Sequence, residues 1–178
     1  MIILDPDLET DRSINPNRRR STTPTPRAQS RDNRLPSARA LARFLHEAQA
    51  VIKLRGQVSI LLTTDQAIRR LNRRFRGKNR ATDVLSFPAY VFHVPAARGL
   101  SPEPVIGDLA ISVDTARKQA DEMAHALGIE IKVLMLHGLL HLAGYDHETD
   151  DGEMALLEQK LRSKLRLPHG LIERSVHA

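Results

Sequence analysis

The chain has no cysteine and no tryptophan. Without thiols there is no disulfide, no thiolate metal site and no cysteine nucleophile, a composition compatible with a reducing compartment. Aromatic residues are 3% of the sequence, too few for the stacked platforms by which some domains read bases. Any nucleic acid is therefore expected to be held through its backbone, with weak sequence readout. No run approaches the roughly 18 apolar residues that span a bilayer, so no membrane partner is expected. The opening Met1-Ile2-Ile3-Leu4-Asp5 lacks the apolar core of a secretory signal, and Arg18-Arg19-Arg20 precedes no apolar stretch. The expected location is the cytoplasm. Acid is scarce locally: residues 51–80 carry nine Lys or Arg (Lys53, Arg55, Arg69, Arg70, Arg73, Arg74, Arg76, Lys78, Arg80) against Asp65 alone.

What is present suits one domain with a real core: 178 residues, 41% of them hydrophobic, too few for two comfortable domains. Residues 5–35, rich in Arg, Pro, Ser, Thr and Asn, are expected to form a mobile insertion within a single domain spanning 1–178. Strands are expected at 1–4, 58–62, 82–87 and 105–111. Helices are expected from Ser37 to about Leu54, and from a Thr63/Gln66 capping box to about Arg74. Further helices run from Val113 to Leu127 with Gly128 as the stop, from Ile129 to Ala143, and from Asp150 to Leu165. Residues 89–103 read as a long loop. Mixed strands and helices predict an α+β fold, one small mixed sheet with helices packed over it and the 129–143 helix buried at its centre.

That central helix carries the chemistry. His137, His141 and His147 stand at the spacing H-x-x-x-H-x-x-G-x-x-H. Residues four apart lie about 40° apart around a helix, so the first two imidazoles reach one ion together. Gly144 then lets the chain turn back and deliver His147. The surrounding Val133, Leu134, Met135, Leu136, Leu139, Leu140 and Leu142 imply burial, where an unpartnered imidazole is costly and a metal resolves the cost. Three neutral nitrogens leave one tetrahedral position open, the arrangement of a catalytic zinc, although imidazole also suits iron, nickel and copper. The long zinc-peptidase motif shares this spacing but has Glu after the first His as base; here that residue is Gly138. The site then needs another proton acceptor or a substrate with its own nucleophile, such as the 2′-hydroxyl of RNA.

The basic stretch beside this motif points to a polyanionic substrate, with Arg69, Arg70, Arg73, Arg74 and Lys78 as phosphate contacts. Asp146, next to His147, is the carboxylate expected to orient a ligand imidazole. Asp108, after Gly107, is expected to hold a turn. Thr82 and Ser86 are expected to make structural hydrogen bonds.

Three segments resemble one family: Leu71-Asn72-Arg73-Arg74-Phe75-Arg76-Gly77-Lys78 with Thr82-Asp83-Val84-Leu85-Ser86-Phe87-Pro88, then Ile106-Gly107-Asp108-Leu109-Ala110-Ile111-Ser112, then His137 to His147. Together, over about residues 55–165, they resemble the bacterial YbeY family. The sequence departs from the family's pattern in residues 12–35, in the extended loop 89–103 and at Ala81, where Pro is common. The resemblance implies a zinc-dependent, single-strand-specific endoribonuclease acting in 16S rRNA 3′ end processing, ribosome biogenesis and ribosome quality control. It implies one Zn²⁺ per chain on His137, His141 and His147, with Arg76 and His137 catalytic, and single-stranded RNA, rRNA and the small ribosomal subunit as partners. A guanidinium beside an open metal position suits a phosphate clamp. The alternative from another class is a ribosome assembly or binding factor whose metal is mainly structural.

Overall fold

A computed structural model describes residues 1–10, 33–89, 103–146 and 150–168. Strand β1 (Ile2–Leu4) leads into a one-turn helix α1 (Asp7–Thr10), so the segment after Leu4 begins with structure where none was expected. Residues 11–32 of the Arg/Pro-rich stretch lie outside the described residues. Helix α2 (Ala38–Ile52) starts where Ser37 accepts a hydrogen bond from the Ala40 N–H, and it buries Leu41, Phe44, Leu45 and Ala48 along one side.

Strand β2 (Gln57–Thr63) is followed by helix α3 (Asp65–Arg76). The cap of α3 is Thr64, which accepts from the Ala67 N–H, and not Thr63. Thr63 is buried at the end of β2 and its hydroxyl donates to Asp5, so the expected Thr63/Gln66 box does not form. Strand β3 (Val84–Pro88) and strand β4 (Val105–Ser112) come next, and residues 90–102 between them lie outside the described residues. Asp108 sits within β4, exposed and paired with Phe87, so it holds no turn.

Helix α4 (Val113–Glu122) and helix α5 (Leu127–Leu142) are separated at 123–126, where Ala124 takes a positive φ of 59°. The break therefore precedes Gly128, which lies inside the first turn of α5. A Cβ there would come within 2.8 Å of Pro36 Cγ, so the glycine serves packing against the start of α2 and ends nothing. Helix α6 (Glu153–Lys164) closes the described chain, and Asp150 accepts from the Gly152 and Met154 N–H groups ahead of it.

The four strands form one mixed sheet in the order β1-β2-β4-β3. Strands β1, β2 and β4 run parallel to one another, and β3 pairs antiparallel with β4 at an edge. Alternation along the strands divides the interior. Val58, Ile60, Leu62, Leu109 and Ile111 pack with α2, α5 and residues of α6 in the main core. On the other face Leu85 and Ala110 pack against Ile68 of α3, with Leu71 and Phe87 alongside. Helix α5 is the centre of the main layer, with Leu127, Ile131, Leu134, Met135, Leu136 and Leu139 all fully buried. Burial on nearly every side matches its near-continuous apolar sequence. Among the described residues no single helix is long and apolar enough to cross a membrane.

Candidate functional site

His137 and His141 occupy successive turns of α5, and their Nε2 atoms face each other at 3.1 Å. Two imidazole nitrogens bound to one tetrahedral cation at about 2.0–2.1 Å stand about 3.3 Å apart. The observed spacing fits two ligands converging on one ion, and it equally fits an N–H···N hydrogen bond between the two rings. The donors are chemically suited, since each Nε2 is a borderline-soft nitrogen on a rigid, buried helix. Gly138, between them in sequence, faces β4: a Cβ there would lie 2.8 Å from Leu109 Cδ2. The position at which the peptidase motif places its glutamate is therefore turned into the sheet, where even a Cβ crowds Leu109.

The second nitrogen of His137 is also engaged. Its Nδ1 lies 3.0 Å from Glu158 Oε2, on α6. The other carboxylate oxygen of Glu158 accepts from Arg162 Nε at 2.8 Å and Nη2 at 2.5 Å, and Arg162 Nη1 donates to the Pro168 carbonyl at 3.0 Å. Glu158 is fully buried and Arg162 nearly so. Burial alone raises the carboxyl's pKa, but the hydrogen bond from His137 and the adjacent Arg162 guanidinium outweigh it and hold Glu158 below the usual carboxylate range.

Past α5, Gly144 takes φ 94° and its N–H donates to the His141 carbonyl, while the Tyr145 N–H reaches Leu140. This is the turn that the sequence required of a residue without Cβ. His147, the third candidate ligand, lies outside the described residues. Asp146, beside it in sequence, accepts through its carbonyl from the Asp150 N–H at 3.0 Å. Asp146 is half-buried there.

Arg76, at the C-terminal end of α3, approaches from the opposite face of the sheet. Its Nη2 donates to the Ser86 carbonyl at 3.4 Å, while the Ser86 hydroxyl donates to the Gly138 carbonyl at 3.3 Å. One residue of the edge strand β3 thus touches both the candidate arginine and the helix that bears the histidines. Ser86 makes the structural bond expected of it. Thr82 also does, through Asp83, whose carboxylate caps the Val84 N–H and accepts from Gln119.

Arg69, Arg70, Arg73, Arg74 and Lys78 are all exposed on or just beyond α3. Arg69 Nε donates to Asn79 at 3.0 Å. Phe75 is 57% exposed, with the Arg74 guanidinium 5.3 Å from its ring centroid and the Phe87 ring meeting it edge-on at 5.2 Å. The basic helix is pinned at its first residue: Asp65 accepts from Ser112 at 2.5 Å, Thr115 at 2.6 Å and Lys118 at 3.0 Å. Burial raises the Asp65 pKa, but these hydrogen bonds and the lysine charge carry it below its ordinary value.

The sequence reading missed Glu158, Arg162 and Phe75. The first two join His137 only through the packing of α6 on α5, which no local spacing encodes. Phe75 carried a signal that low aromatic content obscured, a single aromatic inside an arginine run.

Comparison with known proteins identifies the family of the chain. The family described as Endoribonuclease YbeY matches residues 27–166. Endoribonuclease YbeY of Koribacter versatilis is 50% identical over 139 residues, covering 78% of this chain and 84% of that one. The protein of the same name from Solibacter usitatus is 50% identical over 135 residues, covering 76% and 84%. The solution structure of TM1509 from Thermotoga maritima, 27% identical, aligns over 76% of this chain and 87% of that one with a TM-score of 0.48. With a family match across most of its length and relatives at half identity, the chain belongs to the Endoribonuclease YbeY family.

Proposed function

We propose that this protein is a zinc-dependent, single-strand-specific endoribonuclease. It acts in the cytoplasm on rRNA of the small ribosomal subunit, in 16S rRNA 3′ end processing, ribosome biogenesis and ribosome quality control. The observation that carries the reading is the His137–His141 nitrogen pair at 3.1 Å, coupled through Ser86 to Arg76. His137, His141 and His147 hold one zinc ion. Bound there, zinc supplies a Lewis acid for a phosphoryl oxygen and a water of lowered pKa.

The chain's own residues do the rest. The exposed arginines of α3 and Lys78 hold the RNA backbone by charge. The Phe75 face, flanked by the Arg74 guanidinium, takes one unpaired base, a contact that single strands allow and duplexes do not. The Arg76 fork, anchored at β3, pairs with two phosphate oxygens and stabilises the charge that gathers on them in the transition state. Asp146 supports the ligand arrangement from beside His147. Gly138 supplies no base, which leaves the nucleophile to water or to the substrate's 2′-hydroxyl.

The test is cleavage of an end-labelled single-stranded RNA by the purified protein, by the same protein after chelation, and after zinc is restored. Activity is expected to vanish with the metal and return with it. A chelated, folded protein that cleaves at full rate would assign the metal to structure, and a zinc-loaded protein that binds the RNA without cutting it would assign the protein to ribosome assembly. Product-end mapping then identifies the nucleophile, since a 2′,3′-cyclic end requires the 2′-hydroxyl.

A further inference from the structure

The buried ion pair behind His137 has no evident use in stability. Removing two charges from water costs several kcal/mol, and apolar residues of similar volume serve a core as well or better. Yet Glu158 and Arg162 are 0% and 3% exposed, and the pair is oriented: both Arg162 contacts fall on Oε1, leaving Oε2 for His137 Nδ1. A carboxylate can only accept, so His137 Nδ1 must donate. A neutral imidazole with its proton on Nδ1 has its lone pair on Nε2, the atom that faces His141.

We infer that Glu158 is a positioning residue, clamped by Arg162, that fixes the tautomer and ring orientation of His137 so that Nε2 is presented to a metal as a ready ligand. The metal half of this inference rests on the zinc reading above; the tautomer half stands without it. Arg162 is fixed in turn by the Pro168 carbonyl just past α6, so the chain end of this helix is tied to the ligand geometry. The clamp also explains why the interaction comes from α6. Helix α6 packs against α5 and carries Glu158 and Arg162 four residues apart, so the two face His137 as a pair.

Glu158→Gln is nearly isosteric and inverts the logic. The two guanidinium donors demand the amide oxygen, which turns the amide NH₂ toward His137 Nδ1. Nδ1 must then accept, the proton moves to Nε2, and the metal-facing lone pair is lost. Zinc affinity, measured by competition with a chromophoric chelator, is expected to fall about 10- to 100-fold. Long-range ¹⁵N–¹H spectra of metal-free protein at about pH 9, well above the ordinary imidazole range, are expected to show His137 protonated on Nδ1 in the wild type and on Nε2 in the variant. Adding Arg162→Met frees the glutamine to turn its oxygen back, restoring the Nδ1 proton and part of the zinc affinity, a rescue that a merely structural role does not produce.

A proton on Nε2 in the wild type overturns the proposal and needs no variant to be seen. Unchanged zinc affinity in a folded Glu158→Gln overturns it as well. A wild type that binds no zinc at all instead sinks the metal reading, and that outcome is distinct from both.

Discussion

Gly138 shows how much one missing side chain decides. Its Cα faces β4 so closely that an added methyl meets Leu109, which is itself 1% exposed. Gly138→Ala gains about 1 kcal/mol of helix propensity but overpacks a filled core at about 1–3 kcal/mol, so a net loss of stability is expected in urea unfolding. Gly138→Glu forces a carboxylate into the same place, is expected to cost at least about 3 kcal/mol, and is not expected to yield peptidase activity. An Ala variant more stable than the wild type would show that the contact with β4 is loose. In the proposed mechanism Arg76 acts through its fork and not through its charge alone. Arg76→Lys is expected to keep most RNA affinity while losing about 10²–10³ in single-turnover cleavage, or about 2.7–4 kcal/mol, by analogy with the loss of one transition-state donor. Arg74→Lys should change the rate far less, and equal rates for wild type and Arg76→Lys would leave Arg76 a binding residue. The histidine pair was legible because i,i+4 spacing is local and helical geometry is fixed, whereas Glu158 was not, because its bond to His137 spans 21 residues and two helices.

Helix α3 and the α4–α5 corner define the element scale. Helix α3 has an apolar stripe of Ala67, Ile68 and Leu71 against β3 and β4, which leaves its arginines no course but solvent. Neutralising Arg69, Arg70 and Arg73 together is expected to weaken RNA binding at low salt and flatten the salt dependence by up to about three counterions, with zinc content unchanged. Unchanged affinity and slope would make them a solvated face and nothing more. The helix is registered to α4 by Asp65, whose carboxyl titrates below its ordinary value of 3.8 in the folded state. Stability from this group is therefore fully present above the unfolded pKa and is lost as pH falls through the depressed folded value. Between about pH 5 and 3, Asp65→Asn should start less stable than the wild type by about 1–3 kcal/mol and show a shallower decline on acidification. Parallel declines would remove Asp65 from the acid response. The extent of α3 was visible in the arginine and apolar pattern, but its cap was read one residue early because Thr63 and Thr64 are chemically alike and only tertiary pairing with Asp5 claims the first. The α4–α5 corner was read late for a related reason. Ala124, with no sequence mark, takes the left-handed conformation, and Gly128, which has the mark, serves packing.

At the scale of the whole molecule the His137–His141 pair lies within the central helix, so under the zinc reading metal binding and folding are thermodynamically linked. A ligand that binds only the folded state at 100 times its Kd adds about 2.7 kcal/mol, and for a chain of this size each kcal/mol moves Tm by about 2–4 °C. Zinc at that excess is thus expected to raise Tm by about 5–11 °C in the wild type, and chelation to reverse it. His141→Ala removes one nitrogen of the pair, so its Tm should be nearly blind to zinc and to chelator, and its cleavage should be lost. A structural and a catalytic metal both predict the shift in Tm, and they part below it. At a temperature where the chelated wild type retains its native circular dichroism, a catalytic zinc leaves a folded protein that binds RNA through α3 and does not cut it. A structural zinc leaves one that cuts. Measuring RNA affinity, cleavage and circular dichroism on the same chelated sample decides between them, because the exposed arginines of α3 lie across the sheet from His137 and are expected to hold the substrate whether or not the metal is there.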